Sequence, residues 1–246
     1  MAYTPADYAA VGAALRAQAD DGYRAFTARL LPPGTPLLGV RLPALHALSR
    51  TIAAGDWQGF LACAGHATHE ERLLQGLVIA RAPCTGVQRR ALLAAFTPLI
   101  NNWAVCDTVC AACRFGEEEL AALPAWLRAL AAGGDPAPRR PLAPPYTLRF
   151  CVVLAMTHLL TPARVPAFLQ ELETLPTTAA TVSMAVAWAA SVCGVLDPAA
   201  TLAWLENAPL DDATRRRTVQ KLVDSHRVSP ADKARARTLR SRTPKR

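Results

Sequence analysis

Apolar residues recur at helical spacing along almost the whole chain, and short polar or Pro/Gly segments separate the repeats of this pattern. Leu42, Leu45, Leu48 and Ile52 illustrate it, because spacings of three, three and four place them on one face of a helix. The same periodicity predicts further helices at about 5–19, 56–64, 69–82, 86–100, 103–114, 117–132, 146–160, 163–173, 179–194, 197–207, 211–225 and 229–241. The apolar residues are mainly alanine and leucine, both strong helix formers, and no segment alternates convincingly as a strand would. The sequence therefore predicts an all-α fold, either a helical bundle or an α-α superhelix (solenoid).

Several of these segments carry the signals of a helix N-terminus. Asp56, Asp197 and Ser229 each precede a predicted helix, and the last two are followed directly by proline. A short polar side chain can accept a hydrogen bond from the first turn, and proline fits the first helical position. We expect these three residues to be N-caps.

The clearest interruption is a proline-rich segment at about 133–145. Five prolines and two glycines within these thirteen residues cannot continue a helix. The segment is either a loop inserted between repeats or a hinge between two halves. We favour the loop, which predicts one domain over residues 1–246.

Three conspicuous side chains suggest a helical repeat. Trp103 and Arg149 are 46 positions apart, and Arg149 and Trp188 are 39 apart. These gaps are close to the ~40–47-residue period of HEAT-type helical pairs, which favours HEAT-like repeats with equivalent helices along one concave face.

The positive charge is concentrated near the C-terminus. Residues 1–210 hold fifteen basic and fifteen acidic side chains, whereas residues 211–246 hold twelve basic and four acidic ones. Such a basic C-terminal segment suits a polyanion, although a solvated basic tail has the same composition.

Several classes of protein are disfavoured. The first twenty residues contain Asp7 and Asp20 and no apolar block, and no run of eighteen apolar residues occurs. The seven cysteines lack the paired spacing of a disulfide framework, so we expect reduced thiols and a cytoplasmic location. Cys106, Cys110 and Cys113 share a helix face, but no fourth ligand follows. We therefore read them as small buried apolar residues, and we expect no metal and no cofactor.

The segment around Trp103 and Asp107 is the first candidate for chemistry. The two residues are four apart, so on a helix they share a face one turn from each other. An aromatic plane beside a carboxylate suits a flat or sugar-like cationic ligand. A core tryptophan beside a solvent-facing or capping aspartate is the alternative.

Arg149 and Trp188 are the second candidates. Arg149 precedes the apolar run from Phe150 to Met156, so its guanidinium must reach solvent, a carboxylate or a phosphate. A structural salt bridge would satisfy it as well. Trp188 lies among small residues that make its ring prominent, although a packed core tryptophan would fit the same sequence.

Taken in order, these motifs resemble the AlkD-like DNA alkylation repair enzymes. The resemblance rests on Trp103-x-x-x-Asp107, Leu148-Arg149 and Ala185-Val186-Ala187-Trp188, within the phrases Asn-Trp-Ala-Val-Cys-Asp at 102–107, Met-Ala-Val-Ala-Trp at 184–188, Leu-Asp-Asp at 210–212, Ser-His-Arg-Val-Ser at 225–229 and Gly-Val-Arg-Leu-Pro at 39–43. It covers about residues 35–240. The segment Thr181-Val182-Ser183 departs from the more aromatic or basic approach to the second tryptophan in relatives.

The resemblance implies a curved stack of HEAT-like repeats that holds double-stranded DNA in a basic groove. It implies excision of cationic N3- and N7-alkylated purines by a monomeric DNA glycosylase. Asp107 would be the catalytic carboxylate, Trp103 and Trp188 would contact the deoxyribose of the lesion, and Arg149 would hold a backbone phosphate. A HEAT-repeat protein that binds bent or branched DNA without excision is the second hypothesis, and a protein-interaction scaffold is the third.

Overall fold

The computed structural model describes residues 4–133 and 143–240. Within these stretches the chain forms fourteen α-helices and no strand, which confirms the all-α prediction. The helices are α1 (Pro5–Ala17), α2 (Asp21–Ala28), α3 (Leu42–Ala54), α4 (Trp57–Cys63), α5 (His69–Arg81), α6 (Gly86–Phe96), α7 (Trp103–Ala112), α8 (Glu117–Ala131), α9 (Pro145–His158), α10 (Val165–Glu173), α11 (Ala180–Leu196), α12 (Pro198–Asn207), α13 (Asp212–Asp224) and α14 (Pro230–Thr238). Short 3₁₀ turns at Thr97–Leu99 and Pro162–Arg164 adjoin α6 and α10. Most of the proline-rich segment lies outside the described residues.

The three predicted N-caps are confirmed. Asp56, Asp197 and Ser229 accept hydrogen bonds from backbone N–H groups in the first turns of α4, α12 and α14. The helix α2 was not predicted. It has eight residues, none of them buried, and a helix this short contains too few apolar positions for a helical period to be recognised.

The helices group into two compact units, one ending at Ala122 and the other beginning at Leu123. The division falls inside α8, next to Pro124, whose missing N–H removes one bond from the helical ladder. The prediction of a single domain stays a prediction.

Alternate helices pack against each other in both units, as in helical-repeat proteins. In the first unit α5 packs between α3 and α7, and in the second unit α11 packs between α9 and α13. A second row in the second unit consists of α10, α12 and α14. Helices α9, α11 and α13 begin at residues 145, 180 and 212, which is a shorter repeat than the gaps between Trp103, Arg149 and Trp188 suggested. The spacing between the three residues exceeds the spacing between their helices because Trp103 lies at the start of α7, Arg149 about one turn into α9 and Trp188 about two turns into α11.

The central helix α11 explains why the second unit packs tightly. Its face toward its neighbours is built from alanines and valines, and Ala185, Ala187 and Ala189 are completely buried. Small side chains let adjacent helices approach closely, so the larger residues of α9 and α13 fill the remaining space.

A buried arginine joins consecutive helices in both units. Arg89 on α6 donates to the carbonyl groups of Ile79, Ala80 and Ala82 at the end of α5. Arg215 on α13 donates in the same way to the carbonyl groups of Leu205 and Ala208 at the end of α12. Each guanidinium thus satisfies carbonyl groups that the end of a helix leaves without partners.

The sequence around the two arginines repeats as well. Both copies read Ala-Pro, then an N-cap two residues after the proline, then arginine six residues after it: Ala82-Pro83 with Thr85 and Arg89, and Ala208-Pro209 with Asp211 and Arg215. This internal repeat supports the prediction of a repeat fold.

Candidate functional site

The first part of the candidate site is the start of α7. Trp103 is the first residue of the helix and Asp107 lies one turn later on the same side. The Trp103 side chain is 42% exposed, and its Nε1 donates a hydrogen bond of 3.0 Å to the carbonyl oxygen of Leu30. Trp103 is therefore not a core residue. Asp107 is half-buried and lies too far into the helix to cap it, because Asn102 is the N-cap.

Trp103 adjoins an aromatic and apolar surface of the first unit. Phe26 and Leu30 are among the few large apolar side chains that are exposed, and with Trp103 they line a cavity of about 150 Å³ between α2, α5 and α7. Tyr23 lines the same cavity, and its ring packs against that of Phe26 and under the guanidinium of Arg41. The exposed tryptophan thus belongs to a larger aromatic surface.

Two buried polar residues that sequence reasoning did not select also line this cavity. Glu70 is 1% exposed, and its carboxylate accepts hydrogen bonds from the backbone N–H groups of Leu38, Gly39 and Val40. Its neighbour His69 is also buried, and the Nδ1 atom of His69 lies 3.2 Å from the Nδ2 atom of Asn102. Glu70 therefore fixes the segment before α3, and His69 contacts the cap of α7.

Gly39 explains why that segment can approach α2. It has a φ of 91°, and a Cβ at this position would lie 2.5 Å from the carbonyl oxygen of Asp20. Only glycine adopts this conformation without strain and also leaves room for the close contact.

The second part of the candidate site is the start of α11. Arg149 on α9 is 5% exposed, and its Nη1 donates a hydrogen bond of 3.2 Å to the carbonyl oxygen of Thr181. Trp188 lies two turns further along α11 and is half-buried. The structure thus brings Arg149 and the Trp188 helix together in one unit and Trp103 and Asp107 together in the other. Convergence of all four around one nucleotide stays a prediction.

A relay of hydrogen bonds connects the first turns of α11 and α13. Arg217 donates to the Oγ of Ser183 (2.7 Å), which is also 2.7 Å from the Oγ1 of Thr214. Thr214 and Thr177 both donate to the Oδ2 of Asp211, at 2.6 Å each. Because Thr214 donates to the carboxylate, Ser183 must donate to Thr214.

The acidic end of this relay is held in its charged form. Burial acts to raise the pKa of Asp211, but the hydrogen bonds from Thr177 and Thr214 outweigh it and lower the pKa to about 2. Arg149 and Arg217 both contact α11 within the segment Thr181-Val182-Ser183, at the Thr181 carbonyl group and the Ser183 hydroxyl group. The sequence did not single out Arg217, since arginines at 215, 216 and 217 are indistinguishable by pattern.

The basic C-terminal segment is mostly helical up to residue 240. Helices α13 and α14 carry exposed basic side chains at Arg216, Arg235 and Arg237, whereas Arg215 is completely buried. Residues 241–246 of the segment lie outside the described residues. The helices exclude a wholly solvated tail between residues 212 and 238. Because Arg215 is buried, its charge is not available to a ligand.

The cysteines behave as apolar residues. Cys106, Cys110 and Cys113 are completely buried, and burial raises the pKa of the Cys110 thiol and raises that of Cys113 to about 12. In the part of the chain that the structure describes, no three His, Cys, Asp or Glu side chains are arranged so that they could hold a metal ion. None of the helices in this part combines the length and the apolarity required to cross a membrane.

Comparison with known proteins identifies the family. Comparisons with curated proteins and with solved structures give no match. The family model described as DNA alkylation repair enzyme matches residues 11–132, about half of the chain, and this stretch contains Trp103 and Asp107. The match supports a role in DNA alkylation repair and the enzyme activity that the family description states. Through residues 11–132, the chain belongs to the DNA alkylation repair enzyme family, as its sequence motifs predicted.

Proposed function

We propose that the protein is a DNA glycosylase that hydrolyses the N-glycosidic bond of cationic N3- or N7-alkylated purines in double-stranded DNA. The observation that carries the proposal is the exposed indole of Trp103 one turn from Asp107, on a helix that lies within the family match. Trp103 lies beside the exposed side chains of Phe26 and Leu30, and a contiguous exposed apolar patch of this kind marks a binding surface more often than a single exposed residue does.

The proposed chemistry depends on the charge of the lesion. An alkylated purine is already a cation and leaves readily, so the bond to the sugar breaks with positive charge developing on the deoxyribose. The Asp107 carboxylate would stabilise this charge and position a water molecule for attack on the sugar, as carboxylates do in glycoside hydrolysis. A neutral purine lacks this lability, and we therefore expect selectivity to arise from charge rather than from contacts with base edges.

The tryptophans would supply a cation-attracting surface. The face of an indole attracts a cation by roughly 0.5–2 kcal/mol, and the bond from Trp103 to the Leu30 carbonyl fixes the plane of the ring. We assign Trp188 the same kind of contact with the deoxyribose. Both rings are accessible, since Trp103 is exposed and Trp188 is half-buried.

Arg149 would hold a backbone phosphate near the lesion. A guanidinium has five N–H donors in a planar fork, and one of those of Arg149 binds the carbonyl oxygen of Thr181. Charge-assisted bonds to phosphate oxygens fix the register of DNA without reading its sequence. The proposed enzyme is a cytoplasmic monomer that requires no cofactor.

The substitution Asp107→Asn tests the proposal. We expect the wild-type protein to release N7-methylguanine or N3-methyladenine from methylated duplex DNA, measured by chromatography of the free bases. Asp107→Asn keeps the shape of the side chain and removes its charge, so release should slow by at least about a hundredfold. Glu118→Gln removes an exposed carboxylate on α8 and is the matched control, which should retain full activity.

The outcome also separates the competing hypotheses. Full activity of Asp107→Asn would remove Asp107 from the reaction. Salt-sensitive binding of duplex or branched DNA with no released base would favour the non-catalytic DNA-binding protein. An absence of DNA binding even at low salt would point to a protein-interaction scaffold.

A further inference from the structure

The start of α7 is held by one buried amide. Asn102 is completely buried, and its Oδ1 accepts a hydrogen bond of 3.0 Å from the backbone N–H of Val105, which makes it the N-cap of the helix. Its Nδ2 donates to the Oδ1 of Asn101 at 2.9 Å. The same Nδ2 lies 3.2 Å from the Nδ1 of His69. Trp103 directly follows this amide, and Asp107 lies one turn later.

The contact with His69 can form with only one state of the imidazole. The bond from Val105 fixes which end of the amide carries the oxygen, so the nitrogen of Asn102 must face His69. An amide nitrogen only donates, and Nδ1 of His69 must therefore accept. The ring is then neutral, with its proton on Nε2. A protonated ring would place two N–H groups against each other at the cap of α7.

His69 cannot easily turn away from this contact. It is 5% exposed, it is the first residue of α5, and its backbone N–H donates to the carbonyl oxygen of Pro36 at 2.7 Å. The next residue, Glu70, is fixed by three backbone bonds. The ring is thus placed by its backbone as well as by its surroundings.

The charged and titratable groups near His69 come from two elements. On α5 itself these are Glu70, whose charge raises the pKa of the imidazole, and Arg72, whose charge lowers it. On α2, Tyr23 lines the same cavity, while α7 contributes the uncharged Asn102 at the point of contact. Burial has the largest effect, and it lowers the pKa of His69 below the ordinary value of 6.5.

We propose that His69 is a positioning residue: its neutral imidazole holds Asn102, and through Asn102 the first turn of α7, so that Trp103 and Asp107 are correctly oriented only while His69 is unprotonated. The connection to base excision rests on the function proposed above, whereas the connection between His69 and α7 does not. Base release should accordingly decline as the pH falls through the pKa of His69, below 6.5.

Nuclear magnetic resonance of the wild-type protein tests the structural part directly. The ¹⁵N shifts of the His69 ring should report a proton on Nε2 at neutral pH. During acid titration, the signals of the Asn102 side-chain amide and the Val105 backbone amide should change with the same midpoint as His69. A proton on Nδ1, or a Val105 amide signal that does not change as His69 titrates, would overturn the proposal.

Two variants test the effect on activity. His69→Asn places a non-titrating oxygen near the position of Nδ1, so it should remove the acidic decline of base release between pH 5 and 7 and keep most of the rate at pH 7.5. His69→Leu offers no acceptor and should lower release at least tenfold at every pH. His66→Asn, at an exposed histidine three residues away, is the matched control and should keep the wild-type profile.

The outcomes distinguish this proposal from the proposed function. A His69→Asn variant with the same acidic decline as the wild type would refute the role of His69 while leaving the glycosylase intact. A wild-type protein that releases no base would refute the glycosylase, and the magnetic resonance titration would still decide whether His69 holds α7.

Discussion

Replacing Gly76 with alanine tests whether α7 depends on close packing against α5. Gly76 lies on α5 and faces α7, where an added Cβ would collide with the Cγ2 of Val109. It would also lie 2.7 Å from the Cζ and 2.9 Å from the Cε1 of Phe96, closer than carbon atoms approach without repulsion. Because all of these atoms belong to buried side chains, the new methyl group has no free space to occupy.

Two opposing contributions determine the stability of this variant. Alanine is favoured over glycine within a helix by about 0.5–1 kcal/mol. Overpacking a buried interface costs about 1–3 kcal/mol. We therefore expect the free energy of unfolding to fall by about 1–2 kcal/mol. The interface must open to admit the methyl group, and a displacement of about 1 Å of the helix that carries Trp103 and Asp107 could slow catalysis by up to about a hundredfold.

The assay combines urea unfolding, followed by circular dichroism, with base release from methylated DNA. Gly12→Ala is the matched control, since Gly12 lies within α1 and its added Cβ meets only the flexible side chain of Arg16, at 3.4 Å. This control should gain up to about 1 kcal/mol of stability and keep its activity. A Gly76→Ala variant as stable and as active as Gly12→Ala would refute the argument from close packing.

Two further predictions concern the second unit. Arg215→Met removes the buried donor that binds the carbonyl groups of Leu205 and Ala208, so the free energy of unfolding should fall by about 3–5 kcal/mol. Arg216→Met, at the exposed neighbour, is the control and should change the free energy of unfolding by less than about 0.5 kcal/mol. Equal effects of the two substitutions in urea unfolding would contradict the assigned contacts. The pKa of Asp211 falls from 3.8 to about 2 on folding, so its contribution to stability should be complete above pH 4 and be lost as the pH falls through 2. After allowance for solvent screening of this exposed carboxylate, the contribution is about 1 kcal/mol, and unfolding of Asp211→Ala should show a correspondingly weaker dependence on pH between 2 and 4.

The helices were largely predictable because burial imposes a period on the sequence. Leu45 and Ile52 are buried as the spacing required, and the N-caps at Asp197 and Ser229 are set by local chemistry that a short stretch of sequence records. The helix α2 escaped prediction because it is short, and Tyr23 and Phe26 are too few large apolar positions to reveal a helical period.

The candidate site was only partly predictable. The exposure of Trp103 and its place one turn before Asp107 agree with a ligand-binding role that the spacing suggested. The parts played by His69, Glu70 and Arg217 could not be predicted, because their partners are distant in sequence: Glu70, for example, binds backbone N–H groups at 38–40, which every residue type except proline supplies. A side chain that binds backbone groups places little restriction on the residue types of the segment it binds, so that segment carries no sequence signal of the contact.

The bond from Trp103 to the carbonyl group of Leu30 has a consequence for how the protein tolerates change. The acceptor belongs to the main chain, so substitutions at position 30 can alter the side chain freely while the indole keeps its anchor. Insertions or deletions between α2 and α3 would instead move the anchor itself and tilt the ring. Apart from Gly39, whose conformation requires glycine, the number of residues in this stretch should matter more than their identity, and engineered loops should preserve length before composition.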